Sequence, residues 1–165
     1  MLSTNKQLKN FSRSIWEHRN TVTNLESRFP SSEVPFYDYQ LSISQSFTAK
    51  IRVYRPNLSP PYKTVFFIPG TAYVAKEYNI TNMICSHISK ISNSQVIILD
   101  HRLAPEVKLP VQLQNILELL QVLLYDKKLG LNIDRKNRVL SGYSSGANFA
   151  AIVALFYPKF FKSLI

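Results

Sequence analysis

A single cysteine, Cys85, stands in the 165 residues, so no disulfide can form within the chain and nothing argues for an oxidising compartment. No apolar run approaches the length needed to span a bilayer. Residues 1–10 are polar and lack the charged-then-apolar layout of a secretory signal, so a cytoplasmic chain is expected. No cluster with metal-ligand spacing and no nucleotide-binding glycine pattern occurs, and neither a metal nor a cofactor is expected. Acidic residues are scarce, 10 against 20 Lys and Arg, which gives a net charge of +10. Such a balance invites a nucleic-acid reading. The basic residues are nevertheless spread from Lys6 to Lys162 without forming a block, and no RNA-binding or zinc-finger motif accompanies them. Nucleic acid is therefore not an expected partner, and the charge is read as solvated surface, with a weak contact to an anionic membrane surface left open.

What is present fits one α/β domain behind a short arm. Residues 1–36 are read as a helical arm and linker, because Leu8, Phe11, Ile15, Val22 and Leu25 recur at near-helical spacing before a Pro- and Ser-containing stretch. Residues 37–165 carry the domain. Tyr39, Leu41 and Ile43, and then Phe47, Ala49, Ile51 and Val53, alternate with polar residues, which predicts an antiparallel hairpin. The unbroken apolar run 65–68 and the run 95–99 suit strands covered on both faces of a parallel sheet. Between them Ile80, Met83, Ile84, His87, Ile88 and Ile91 keep helical period, with Thr81 as the predicted N-cap and His87 as a core histidine on the apolar stripe. Pro110 opens a second helix running to about residue 128, and Gly130 suits a turn after it. A strand then ends at Ser141 and a third helix covers 147–157, which makes successive βαβ units.

At that last strand-to-helix junction the chain reads Gly142-Tyr143-Ser144-Ser145-Gly146. G-x-S-x-G in a strand-turn-helix setting predicts a nucleophile elbow: Ser144 on a strained turn at the sheet's carboxyl edge, the flanking glycines letting backbone pass, and the next N–H directed at an oxyanion.

Three motifs in fixed order resemble the hormone-sensitive-lipase-like branch of the α/β-hydrolases. Pro69-Gly70-Thr71-Ala72-Tyr73 stands where that family has His-Gly-Gly-Gly-Phe. Asp100-His101-Arg102-Leu103-Ala104-Pro105-Glu106 matches its Asp-Tyr-Arg-Leu-Ala-Pro-Glu in all but one position, and Gly142 to Asn148 matches its Gly-Asp-Ser-Ala-Gly-Gly-Asn elbow. The resemblance implies an α/β-hydrolase fold, a mostly parallel sheet with an antiparallel N-terminal hairpin, incomplete at the C-terminus. It further implies ester hydrolysis of esterase or lipase type through an acyl-enzyme on Ser144. Backbone N–H groups of Thr71, Ala72 and Ser145 would form the oxyanion hole, supported by Gly70, Gly142 and Gly146. The substrate would be a small-molecule ester or lipid.

In this fold the acid and the histidine follow the serine. After Ser144 the sequence has neither a histidine nor a carboxylate side chain, and residues 161–165 are read as the opening of another strand. The chain is accordingly read as the N-terminal portion of such a hydrolase, its elbow strand left at the sheet edge and a partner chain able to complete the sheet. His18, His87 and His101 remain as bases; His101 stands nearest the carboxyl edge, as an ordinary turn residue in the simpler reading. Arg102 and Glu106 are read as structural. A catalytically inactive, hydrolase-like binding protein is the competing reading, and an anionic-surface binder the third.

Overall fold

The computed structural model describes residues 34–165, together with residues 10, 13, 14 and 17, which are helical. The remainder of the expected arm lies outside the described residues, as does His18. Strands β1 (Phe36–Ser44) and β2 (Phe47–Tyr54) form the predicted hairpin, in register from Phe36 opposite Tyr54 to Ser44 opposite Phe47 with one irregularity near its turn. The alternation in β2 drives Phe47, Ala49, Ile51 and Val53 inward, where all four are buried. Then follow β3 (Tyr62–Ile68), helix α1 (Tyr78–Ser92), β4 (Gln95–Ile98), helix α2 (Val111–Tyr125), β5 (Ile133–Gly142), helix α3 (Ser145–Phe156) and the two-residue β6 (Ser163–Leu164).

Among the described residues these strands make one sheet of six in the order β1-β2-β4-β3-β5-β6. The hairpin joins through an antiparallel β2–β4 contact, and β4, β3, β5 and β6 run parallel. Period-two burial explains why β3 and β4 read as unbroken apolar runs. Phe66, Ile68 and Ile97 face one way, into a core with Ile116, Leu119, Leu120 and Leu123 of α2 and Phe149, Ala150 and Val153 of α3. Val65, Phe67, Val96 and Ile98 face the other way, packing with Cys85 of α1, Tyr54 and Val34. Two helices thus cover one face and α1 covers the other.

Helix α1 departs from the expected orientation. It starts at Tyr78, so Thr81 lies within its first turn, buried, with its N–H bonded to the Glu77 carbonyl at 3.0 Å. The residues it buries are Thr81, Cys85, Ser86 and Ser89, whereas Met83 is 65% and Ile91 69% exposed and His87 is exposed rather than in the core. Small side chains let the helix axis approach the sheet closely, and Ser89 Oγ donates to the Ser94 carbonyl at 2.8 Å while Tyr54 Oη donates to Asn82 Oδ1 at 2.9 Å. Closeness and hydrogen bonding outweigh the transfer of the apolar stripe. Ile84 and Ile88, half-buried at the margin of that contact, are what the stripe contributes to the core.

The expected bare edge at β5 is also corrected. Val139 and Leu140 pair with Ser163 and Leu164, the Ile165 N–H donates to the Leu140 carbonyl at 3.0 Å, and the Gly142 N–H donates to the Ile165 carbonyl at 3.2 Å. The elbow strand is therefore flanked on both sides near its carboxyl end, and Ile165 itself is exposed. Strand β5 begins at Ile133, which pairs with Tyr62 across a register irregularity.

Candidate active site

Strand β5 ends at Gly142 and α3 begins at Ser145, so the direction of the backbone reverses within two residues. A turn that tight forces backbone against backbone. A Cβ placed on Gly142 would lie 2.6 Å from the Gly146 carbonyl oxygen, and one on Gly146 would lie 2.1 Å from the Ile68 carbonyl oxygen and 2.6 Å from that of Pro69. Both positions therefore require glycine for close approach rather than for turn conformation. Ser144 between them takes φ 54°, ψ −128°, a region sparsely populated by any residue with a side chain and costing on the order of 1–3 kcal/mol. The turn is held by Gly146 N–H on the Tyr143 carbonyl at 2.9 Å and by Ala147 N–H on the Ser144 carbonyl at 3.0 Å. Ser144 itself is exposed, and its hydroxyl makes no hydrogen bond among the described residues.

The loop after β3 lies against this elbow. Gly70 passes the Tyr143 ring so closely that an added Cβ would sit 2.6 Å from a ring carbon. Thr71 is buried; its N–H donates to Ser145 Oγ at 2.9 Å and its own Oγ1 lies 3.3 Å from the same oxygen. Ala72 and Tyr73 follow at φ 45° and 65°, the left-handed region that glycine would enter without strain. They are held there by Tyr73 N–H on Thr71 Oγ1 at 3.2 Å, while the Tyr73 carbonyl accepts from Ala104 N–H at 2.9 Å and from Gln112 Nε2 at 3.0 Å. Of the three amides expected as oxyanion donors, Thr71's is thus engaged by the Ser145 side chain. The Ala72 N–H has no acceptor among the described residues, and the Ser145 N–H opens α3, where the first amides lack intrahelical partners.

Neither described histidine, His87 nor His101, is hydrogen-bonded to Ser144. His101 is 1% exposed, stacks edge-on against Phe149 at 5.4 Å, and has no hydrogen-bond partner for either ring nitrogen. Burial lowers its pKa to about 4, the Lys76 charge acting in the same direction and Asp100 against it. With Tyr73, which meets Phe149 at 5.5 Å, it forms an aromatic wall between the loop and α3. It is a neutral core ring, neither an ordinary turn residue nor a proton acceptor tied to Ser144. Its neighbour Asp100 pairs with Lys76 and accepts the Lys50 N–H at 3.1 Å. Arg102 is structural as expected, its Nε donating to Asn115 Oδ1 at 3.0 Å and its Nη1 to the Ser46 carbonyl at 3.2 Å. Sequence patterning missed the Thr71–Ser145 contact, which spans 74 positions and leaves no periodic trace.

Beside Pro69 a cleft of about 630 Å³ opens, lined by Tyr39, Ile51, Tyr78 and Ile98 together with polar and charged side chains that include Asp38, Arg52, Lys76 and Asp100. Among the described residues there is no group of three His, Cys, Asp or Glu able to hold a metal ion, and no helix long and apolar enough to cross a membrane.

This architecture has relatives. A family model described as alpha/beta hydrolase fold matches residues 65–159, more than half of the chain, from β3 through the elbow to the end of α3. The chain belongs to the α/β-hydrolases, on their hormone-sensitive-lipase-like branch. A protein of Acanthamoeba polyphaga mimivirus named as an α/β hydrolase, R526, is 31% identical over 91 residues, 55% of this chain and 26% of the viral one. Among solved structures, a carboxylesterase cloned from a metagenomic library, EstE1, superposes with a TM-score of 0.74 at 24% identity, over 94% of this chain and 53% of that one. An arylesterase superposes with a TM-score of 0.75 at 22% identity, over 98% and 56% respectively, and a hyperthermophilic esterase of Pyrobaculum calidifontis with a TM-score of 0.69 at 21% identity, over 94% and 51%. The chain spans about half the length of these esterases, and at such identities the likeness is one of fold.

Two outcomes are expected from this geometry. Gly146→Ala must push α3 off the carbonyls of Ile68 and Pro69, and urea unfolding should show a loss of at least about 2 kcal/mol; an unchanged midpoint would contradict the close approach. For His101 the folded pKa, about 4, lies below the ordinary value of 6.5, so the unfolded chain binds the extra proton between these limits. The neutral ring's contribution is complete above pH 6.5 and is lost as pH falls towards 4, in total about 3 kcal/mol. Urea titrations at pH 7 and pH 4 should show His101→Phe losing less stability between the two than the parent, and equal losses would exclude this origin.

Proposed function

We propose that the chain carries the nucleophile of an ester hydrolase, with Ser144 attacking the carbonyl carbon of a small-molecule ester. The observation that supports this best is the φ 54°, ψ −128° conformation of an exposed serine, kept in place by two glycines that admit no side chain. Such strain persists only where the surroundings enforce it, and here it presents one hydroxyl clear of the sheet at the opening of α3. Ser145, the alternative nucleophile in the same motif, is buried and its oxygen already accepts the Thr71 N–H.

Attack by Ser144 Oγ would place negative charge on the former carbonyl oxygen, next to the Ala72 and Ser145 amides and the positive end of α3. Each such donor is worth about a hundredfold to a thousandfold in rate. The alcohol leaves, an acyl group stays on Ser144, and water releases it. Both transfers need a base, and among the described residues no side chain is hydrogen-bonded to the Ser144 hydroxyl, His101 being a buried ring turned to Phe149. This lack also supports a second reading, a hydrolase-like binding protein without turnover.

The test is acylation by p-nitrophenyl acetate, whose leaving group departs without help from an acid. Acetylation of Ser144, found by peptide mass mapping after reaction with the reagent in excess, is the expected result, and Ser144→Ala should abolish it. Acetylation scattered over surface lysines, equal in the chain and in Ser144→Ala, would refute the nucleophile and favour the binding reading.

A further inference from the structure

The loop that carries the expected oxyanion donors has lost two devices that would hold it. Pro69 has no imidazole and no N–H to anchor its entry, and at Ala72 and Tyr73 side chains occupy positive φ, where nothing intrinsic to either residue keeps the backbone. A loop so composed needs another fastening. The structure shows one. The Ser145 hydroxyl accepts the Thr71 N–H at 2.9 Å and lies 3.3 Å from Thr71 Oγ1, and Thr71 Oγ1 in turn accepts the Tyr73 N–H at 3.2 Å. Thr71 is 3% and Ser145 6% exposed, so water does not compete for these groups. The chain of contacts runs from the elbow through one hydroxyl pair to the two strained residues. The separation it spans is already fixed, because Gly146 rests against the carbonyls of Ile68 and Pro69.

We propose that the Ser145 hydroxyl is a positioning group that clamps the 69–73 loop to the elbow and withdraws the Thr71 amide from the oxyanion donors, leaving the Ala72 and Ser145 amides as the two that face the reacting carbonyl. This rests on the reading of Ser144 as nucleophile for its functional meaning, though the clamp itself does not depend on turnover. Thr71 serves the site through its side chain and Ala72 through its backbone. A Thr71 amide turned to an oxyanion would give up a hydrogen bond made where water does not compete. The hole is consequently built with two amides, one from each side of the clamp.

Amide hydrogen exchange, read residue by residue by NMR on the full 165-residue chain, tests this without any catalytic readout. In Ser145→Ala the Thr71 amide should exchange at least about tenfold faster relative to core amides, as expected for the loss of one buried hydrogen bond. Ser145→Thr, which keeps the hydroxyl, should restore its protection. Thr71→Val should accelerate the Tyr73 amide while the amide at position 71 stays protected by Ser145. A folded Ser145→Ala in which the Thr71 amide is as slow as before would overturn the clamp. Should Ser145→Ala fail to fold, Thr71→Val decides, and an unmoved Tyr73 amide in that variant would overturn it equally. Absence of Ser144 acetylation would remove the hydrolase reading and leave these exchange rates as they are.

Discussion

Everything at this site depends on how closely the first turn of α3 approaches the end of β3. Gly146 lies against the Ile68 and Pro69 carbonyls with no room for a methyl group, and Gly142 lies against the Gly146 carbonyl with none either. These contacts bring the elbow and the loop after β3 within reach of one hydrogen bond. The positive φ of Ser144, the burial of Ser145 and the seating of Thr71 are consequences of the same packing. Parallel strands side by side would otherwise separate their connecting loops. Here β3 and β5 are direct neighbours, from Thr64 opposite Arg138 to Ile68 opposite Gly142, so their carboxyl ends deliver both loops to one place.

The core explains why this arrangement is rigid. Phe149, one turn into α3, is buried and meets Tyr73 of the loop on one side and His101 of the loop after β4 on the other. Three successive βα connections are thus fastened through one phenyl ring. His101 occupies the position where the related motif carries tyrosine, and its two unpartnered nitrogens make it the most acid-sensitive part of the wall. Asp100, pinned by Lys76 and by the Lys50 amide, holds the start of that loop to the hairpin.

Much of the fold was legible in the residues because period-two burial is a local property. The hairpin from Phe36 to Tyr54 and the buried strands β3 and β4 follow from alternation and from unbroken apolar runs. The elbow was legible for a different reason: a tight turn leaves glycines at fixed offsets around Ser144. The orientation of α1 was not, because an apolar stripe reports transfer free energy alone, while the sheet selected the small face of Thr81, Cys85, Ser86 and Ser89 for close contact. Nor could the fastening of Thr71 by Ser145 be seen, since a contact between hydroxyls 74 positions apart has no pattern before the chain folds. In the folded chain Thr71, where the related motif has a glycine, donates its N–H to Ser145, where the related motif has an alanine.

In the proposed function, packing against β3 singles out Ser144 of the two adjacent serines as the group that would meet an electrophilic carbonyl. A crystal structure of the chain after prolonged reaction with a p-nitrophenyl phosphonate ester tests it most directly. The expected result is phosphorus bonded to Ser144 Oγ, with one phosphonyl oxygen within hydrogen-bond distance of the Ala72 and Ser145 amides and the Thr71 amide still on Ser145 Oγ. An adduct on Ser145, or one on Ser144 whose oxygen turns away from both amides, would contradict it.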